Sequence, residues 1–197
     1  MNRLMSTVSV VCLGAVVSLG AQQTKPATQA PAGKPTSVSL MASGPITLSV
    51  KAVYDEGKDY ILRSAEMVTD KDFAFKPAGV AAEVRDYGQL LGHLANEQYA
   101  FCGAAMSGNE KAPADFEKTR SKVEMLKALG AAFAYCDKAY NTVNDHNGAE
   151  PVKLFGNDST RIGALAYNNA HNFEHYGNLV TYLRAMGKVP PSSQPGK

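Results

Sequence analysis

The stretch "AHNFEHYGNLVTYLRAMGKVPPSS", Ala170–Ser193, places two histidines four residues apart on an amphipathic segment. Residues at this spacing on a helix differ by about 40° around the axis, so His171 and His175 project side by side. The segment ends at Gly187, a residue typical of helix C-termini. The same face continues through Leu165, Asn168, Leu179, Tyr182 and Met186. The pattern predicts a helix that turns both imidazoles toward the protein interior.

Three further stretches repeat apolar residues at intervals of three and four, as helices do, at about residues 46–68, 86–105 and 115–143. Asp86 and Gln89 can form a capping box for the second, and Ser159 or Thr160 can cap the last helix. Only residues 152–155 resemble a strand. The buried sides are expected to include Val50, Val53, Tyr54, Ile61, Leu90, Leu94, Phe101, Val123, Leu129 and Phe133. Four amphipathic helices in one domain of this size predict an all-α four-helix bundle.

A third histidine, His93, lies on the second predicted helix between Leu91 and Leu94, so it can also point into the bundle. Three neutral imidazoles from two helices, with coordination left open for water or substrate, are typical of a catalytic metal site. The alternative is a set of buried histidines that make only hydrogen bonds. His146 stands in a polar connection and is expected to be solvated.

The segment from His171 to His175 also fits H-x-x-E-H, the inverted zincin signature, with Glu174 as general base. That class needs a downstream carboxylate ligand, and residues 176–197 contain no Asp or Glu. Glu174, Glu97 and Tyr176 are instead candidates for orienting the ligands or moving protons. The alternative is a surface or helix-pairing role for the glutamates and bundle packing for the tyrosine.

The N-terminal region has the features of an export signal. Residues 1–21 combine Arg3, an apolar run and a small-residue cleavage site. The run is short for a membrane span, so a retained anchor is the alternative. Residues 22–42, rich in Pro, Ala and Thr, predict a disordered tether before the bundle at 43–192 and a tail at 193–197. We therefore expect an exported protein, periplasmic or extracellular.

The charge of the chain indicates which classes of binding partner to expect, and its cysteines raise the question of a disulfide. The formal net charge is only +2 over 197 residues, with no basic run, which argues against nucleic acid. No membrane contact is expected beyond the export signal, while a small-molecule substrate and a homodimer both agree with the sequence. Cys102 and Cys136 remain after loss of the signal. We interpret them as small buried hydrophobes, with a disulfide, which export would permit, as the alternative.

Three segments in order resemble the DinB/YfiT-like superfamily of metalloenzymes: "DFAFKPAGVAAEVR" (72–85), "VRDYGQLLGHLANEQYAF" (84–101) and "EHYGNLVTYLRAMGKVPPSS" (174–193). The resemblance covers about residues 46–192. It implies up-down-down-up connectivity and a divalent ion, which can be zinc, nickel, iron or manganese, held by His93, His171 and His175.

Relatives in that superfamily include thiol-dependent transferases and isomerases, and many have no assigned reaction. Their thiol cosubstrates are cytoplasmic, so export argues against carrying that reaction over. The three histidines predict an exported metal-dependent enzyme, a hydrolase or transferase of unknown substrate, in which the ion activates a water or thiol or polarises a carbonyl. The alternative is a non-catalytic metal-binding or adaptor bundle.

Overall fold

The computed structural model describes residues 44–108 and 111–194, and the structural statements that follow concern these residues. They form four helices, α1 Pro45–Glu66, α2 Tyr87–Ala105, α3 Lys122–Thr142 and α4 Arg161–Ala185. An antiparallel hairpin of β1 Pro151–Leu154 and β2 Asn157–Thr160 joins α3 to α4. Short 3₁₀ turns lie at Asp70–Ala74, Phe116–Lys118 and Pro191–Ser193. The predicted all-α four-helix bundle is confirmed, whereas the predicted signal and tether lie outside the described residues.

Contacts along the helices give the predicted up-down-down-up connectivity. α1 and α4 run parallel, because Asn169 near the middle of α4 donates to the Val50 carbonyl at 2.8 Å while Tyr60 stacks on Tyr176 further along both helices. α2 and α4 run antiparallel, because Phe101 lies against Tyr167, whereas His93, earlier on α2, lies against His175, later on α4. None of the four helices is long and apolar enough to cross a membrane.

A disulfide joins α2 to α3. It links Cys102 and Cys136, both fully buried, with the two Cα atoms 5.2 Å apart. At the other end of the pair, Arg120 lies 3.6 Å from Asp86, so the two helices start and finish together and are parallel. The interpretation of the cysteines as free buried thiols was wrong, and the alternative is confirmed: helix periodicity places both sulfurs in the core but does not align them.

The predicted helix boundaries are largely confirmed by the caps. Asp86 accepts from the Gln89 amide at 2.7 Å, and the Gln89 side chain accepts from the Asp86 amide at 2.9 Å. Thr160 caps α4 by accepting from the Gly163 amide at 3.0 Å. Gly187 follows α4 with φ +73°, the left-handed conformation that ends helices.

Three details of the sequence prediction were wrong. α3 begins at Lys122 rather than near residue 115, because Asp115 caps a separate 3₁₀ turn and Ser121 caps the helix. Val123, at the first turn of α3, is therefore 77% exposed, and Val53 of α1 is 44% exposed. The strand predicted at residues 152–155 is present, but its partner β2 was missed.

A layer of buried amides crosses the bundle between α2 and α4. The fully buried Gln98 donates from Nε2 to Asn172 Oδ1 at 2.6 Å and accepts at Oε1 from Asn168 Nδ2 at 3.1 Å. One amide atom of each asparagine has no hydrogen-bond partner among the described residues. On each of the two helices, the amide residues lie within one or two turns of the histidines.

Candidate metal centre

The three histidines meet between α2 and α4. Because the two helices are antiparallel, His93 of α2 faces the side of α4 that carries His171 and His175. One nitrogen from each ring lies within 4.8 Å of the other two, and the Nε2 atoms of His93 and His171 are 3.2 Å apart. The ring centroids of the α4 pair are separated by 4.4 Å. All three side chains are only partly buried, so the cluster is accessible from outside the bundle.

A carboxylate orients the first of these rings. Glu117 places Oε1 3.0 Å from His93 Nδ1, and its Oε2 accepts from Arg85 Nε at 3.1 Å. An ionised carboxylate only accepts hydrogen bonds, so Nδ1 of His93 carries the hydrogen and Nε2 presents its lone pair toward His171. Such a carboxylate behind a histidine fixes the ring and raises its basicity as a metal ligand.

Glu117 was missed by the sequence analysis, and its position depends on a contact distant in sequence. Gly92, next to His93, faces the backbone of Phe116 and Glu117 so closely that a Cβ atom would overlap both. Asn96, one turn later, accepts from the Phe116 amide at 3.1 Å. α2 thus holds the 3₁₀ turn that carries the carboxylate. The only local signal is the Asp115 cap, which marks a separate turn.

Two solved structures share the fold of this chain. A DinB-like protein from Bacillus subtilis aligns with a TM-score of 0.59 over 75% of this chain and 99% of that chain, at 16% identity. The chain has the DinB-like fold. A DinB-like protein from Bacillus cereus aligns with a TM-score of 0.62 over 72% of this chain and 93% of that chain, at 13% identity. No protein-family model and no curated protein matches the sequence.

Three imidazole nitrogens are a donor set that suits a divalent ion, and the widest pair, up to 4.8 Å apart, closes onto one ion by a small rotation of a ring. Two imidazole nitrogens that each lie about 2.0–2.1 Å from a tetrahedral zinc ion are about 3.3 Å apart, close to the 3.2 Å between His93 and His171. Imidazole also suits nickel and iron, so the ligands alone do not select the metal. Three protein ligands leave a coordination position for a further molecule.

Burial keeps the α4 pair neutral. Desolvation, followed by the neighbouring imidazoles of His175 and His93, lowers the pKa of His171 to about 3. Desolvation is also the main cause that lowers the pKa of His175, with His93 adding to it. Metals bind the unprotonated ring, so both side chains are in the ligand form at neutral pH.

This lowered pKa predicts a pH-dependent stability of the metal-free protein. The pKa of His171 is about 6.5 in the unfolded chain and about 3 in the folded chain, so between these pH values only the unfolded chain binds the proton. Protons therefore favour unfolding in this window, and stability is lost as the pH falls from 6.5 toward 3. Between pH 7 and 4.5 we expect His171 to account for about 1–2 kcal/mol of the loss, after allowance for its partial exposure.

Urea unfolding in the presence of chelator, at both pH values, measures this effect. His171→Leu, which keeps an apolar side chain of similar size, should show a correspondingly smaller loss between the two pH values than the parent. Equal losses in the two proteins would contradict the prediction.

The other predicted participants lie on α2 and α4 near the three histidines in sequence. Glu174 is exposed on α4, and its charge partly opposes the lowered pKa of His175. Glu97 is partly buried on α2, one turn after His93. The hydroxyl of Tyr176 lies 2.8 Å from Ser192 Oγ, in agreement with the packing alternative. Proton-transfer roles for these side chains stay predictions.

Proposed function

We propose that this protein is an exported metal-dependent enzyme, a hydrolase or transferase, that holds one divalent ion at His93, His171 and His175. The observation that carries the proposal is the convergence of three accessible imidazoles, one oriented by a carboxylate and two held neutral by burial. A cluster that served only to fill the core would not need a ring nitrogen directed at the same point from each of two helices.

The chemistry follows from this donor set. A divalent ion with an open position acts as a Lewis acid, which lowers the pKa of a water or thiol ligand and polarises a carbonyl or phosphoryl oxygen. The chain contributes the rest: Glu117 holds His93 in the ligand tautomer, and Arg85 holds Glu117 in place. Their ion pair also keeps the carboxylate from rotating into the ligand set.

The disulfide supports the export part of the proposal. Disulfides persist in secreted and periplasmic proteins and are rare in the reducing cytosol. The Cys102–Cys136 bond ties α2 to α3 in the core, where a structural disulfide belongs. Together with the signal-like residues 1–21, this bond favours an oxidising compartment. Microscopy or fractionation of cells that express the tagged full chain tests this point.

Elemental analysis of the untagged protein, purified without chelator, tests the metal centre. We expect about one divalent ion per chain in the parent and little in a His93→Ala, His171→Ala double variant. His146→Ala is the matched control, because His146 is an exposed loop histidine and its loss should leave the metal content unchanged. Equal metal content in the double variant and the parent would contradict the site.

A variant of Glu117 distinguishes the contribution of this carboxylate to metal affinity from that of the three proposed histidine ligands. Glu117→Gln keeps the size of the side chain but removes the charge, and we expect a metal affinity about 10–100-fold weaker with the stoichiometry unchanged. A competition titration with a chromogenic chelator measures this shift. Turnover of small esters or thiol-reactive electrophiles that appears only with the metal would then distinguish an enzyme from a metal-binding module.

A further inference from the structure

The β-hairpin carries an aromatic residue at a backbone position that aromatic residues avoid. Leu154 pairs with Asn157, so Phe155 and Gly156 form a two-residue loop with φ of 50° and 83°. Positive φ at both residues is the type I′ turn, in which Asn, Asp and Gly are preferred. A bulky side chain in this conformation is strained. Strain of this kind concentrates at functional sites, where the surrounding structure maintains it.

Packing does not explain this residue. Phe155 is 63% exposed, so most of its ring contributes nothing to the core. Among residues 44–108 and 111–194 its one ring contact is with Phe101, edge-on, at a centroid distance of 5.3 Å. The fold would be served equally well by a small turn residue at this position. The reason for the phenyl ring is therefore to be sought on the outer surface.

The exposed ring lies one aromatic contact away from the proposed metal site. Phe101, which Phe155 contacts, also packs against His171 at 5.0 Å and against Tyr167 at 5.5 Å. Tyr167 is itself 57% exposed. We refer to Phe101, Phe155 and Tyr167 as the aromatic strip. It extends from the hairpin tip to one of the three proposed ligands.

A shallow cavity adjoins the strip at the hairpin tip. Its volume is about 230 Å³, and its walls include Phe155 together with the small side chains Ala100 and Ala104 of α2. A cavity of about 150 Å³ is large enough to hold benzene, so a phenyl or branched alkyl group would fit. Lys111 and Lys153 also line the cavity. The buried Phe101 connects the exposed Phe155 ring to His171, so the cavity lies one aromatic residue away from the histidines.

We propose that the aromatic strip binds the aryl or other bulky apolar part of a small-molecule substrate whose polar group reaches the three histidines. This inference rests on the proposed function and adds the substrate class. A small molecule is favoured over a second copy of the chain because the strip exposes only two large side chains. A stable protein interface buries about 800 Å² on each partner, far more than these provide.

Two hydroxamates that differ only in the apolar group test the inference. Acetohydroxamate and 4-phenylbutanohydroxamate present the same metal-binding group, and calorimetric titration into the zinc-loaded full chain measures both affinities. We expect the aryl probe to bind the parent at least about tenfold more tightly, because its ring is removed from water. Phe155→Asn should abolish most of this difference without changing the metal content.

Asparagine is chosen so that an effect of the substitution on probe binding can be distinguished from an effect on protein stability. Asparagine suits a type I′ turn, so the Phe155→Asn protein should melt at the same temperature as the parent or higher. Val123→Asn is the matched control, since Val123 is 77% exposed on α3 and should retain the full aryl preference when replaced. A lower melting temperature in Phe155→Asn would assign the ring to stability and overturn the inference.

The remaining outcomes are distinguishable. Equal affinities of the two probes for a parent that contains one metal per chain would overturn the inference and leave the metal centre standing. An unchanged aryl preference in Phe155→Asn would also overturn it. A parent dimer that Phe155→Asn converts to a monomer would assign the strip to self-association instead. A parent without metal would remove the proposed function and this inference together.

Discussion

Loss of the Cys102–Cys136 disulfide is expected to lower the free energy of unfolding by about 3–4 kcal/mol. The two cysteines are 34 residues apart, and the closed loop restricts the unfolded chain. The loop-closure relation gives about 3.8 kcal/mol for a loop of this length. Both cysteines are fully buried in a region of the core made by α2 and α3, so their replacement also removes packed atoms. This loss is a large fraction of the stability of a typical domain.

Urea unfolding of a Cys102→Ala, Cys136→Ala double variant measures the loss. Reductant should leave the unfolding free energy of the double variant unchanged. It should lower the unfolding free energy of the parent toward that of the double variant, because it reduces the disulfide in the unfolded chain. A parent whose unfolding midpoint equals that of the double variant, with and without reductant, would show that the bond contributes nothing to stability.

Gly92→Ala is expected to destabilise the protein by about 2–4 kcal/mol and to weaken metal binding as well. The new methyl group would overlap the backbone of Phe116 and Glu117, which cannot move aside as a flexible side chain would. The 3₁₀ turn must therefore shift away from α2 and take the Glu117 carboxylate from His93. Measured stability and metal affinity should fall together.

Gly130→Ala is the matched control for this change. Gly130 also lies inside a helix, but no atom beyond its chain neighbours and the backbone of its own helix lies within 4 Å of the position that its Cβ would take. Alanine there should raise the free energy of unfolding by about 0.5–1 kcal/mol, since it restricts the unfolded chain and favours the helix. If Gly92→Ala were as mild as Gly130→Ala, the close approach of the turn to α2 would be refuted.

The bundle and its three histidines could be predicted from the sequence because both depend on local spacing. The i, i+4 pair on α4 needs only the helical period to place two rings on one face, and His93 needs only its leucine neighbours to face inward. The caps of α2 and α4 follow from the side chains that supply them. The order of the helices around the bundle came from the resemblance rather than from any spacing.

What the sequence did not predict depends on contacts between distant residues. Glu117 reaches His93 only because Gly92 admits the turn, and no periodic pattern records that contact. The second strand was missed because Phe155 occupies a turn position where asparagine or glycine would have marked a hairpin. The disulfide depends on the alignment of α2 and α3, which the faces of the two helices leave open.

The buried amides restrict the axial alignment of α2 relative to α4. Asn168 and Asn172 are one helical turn apart, so a displacement by one turn, about 5.4 Å, would leave Gln98 opposite only one of them and would break one of its two amide hydrogen bonds in the core. Aliphatic side chains at the same places would tolerate neighbouring alignments at similar energy. The amides thus exclude the misaligned forms in which His93 would miss its partners. The axial offset that brings the three histidines together is set by residues outside the proposed ligand set.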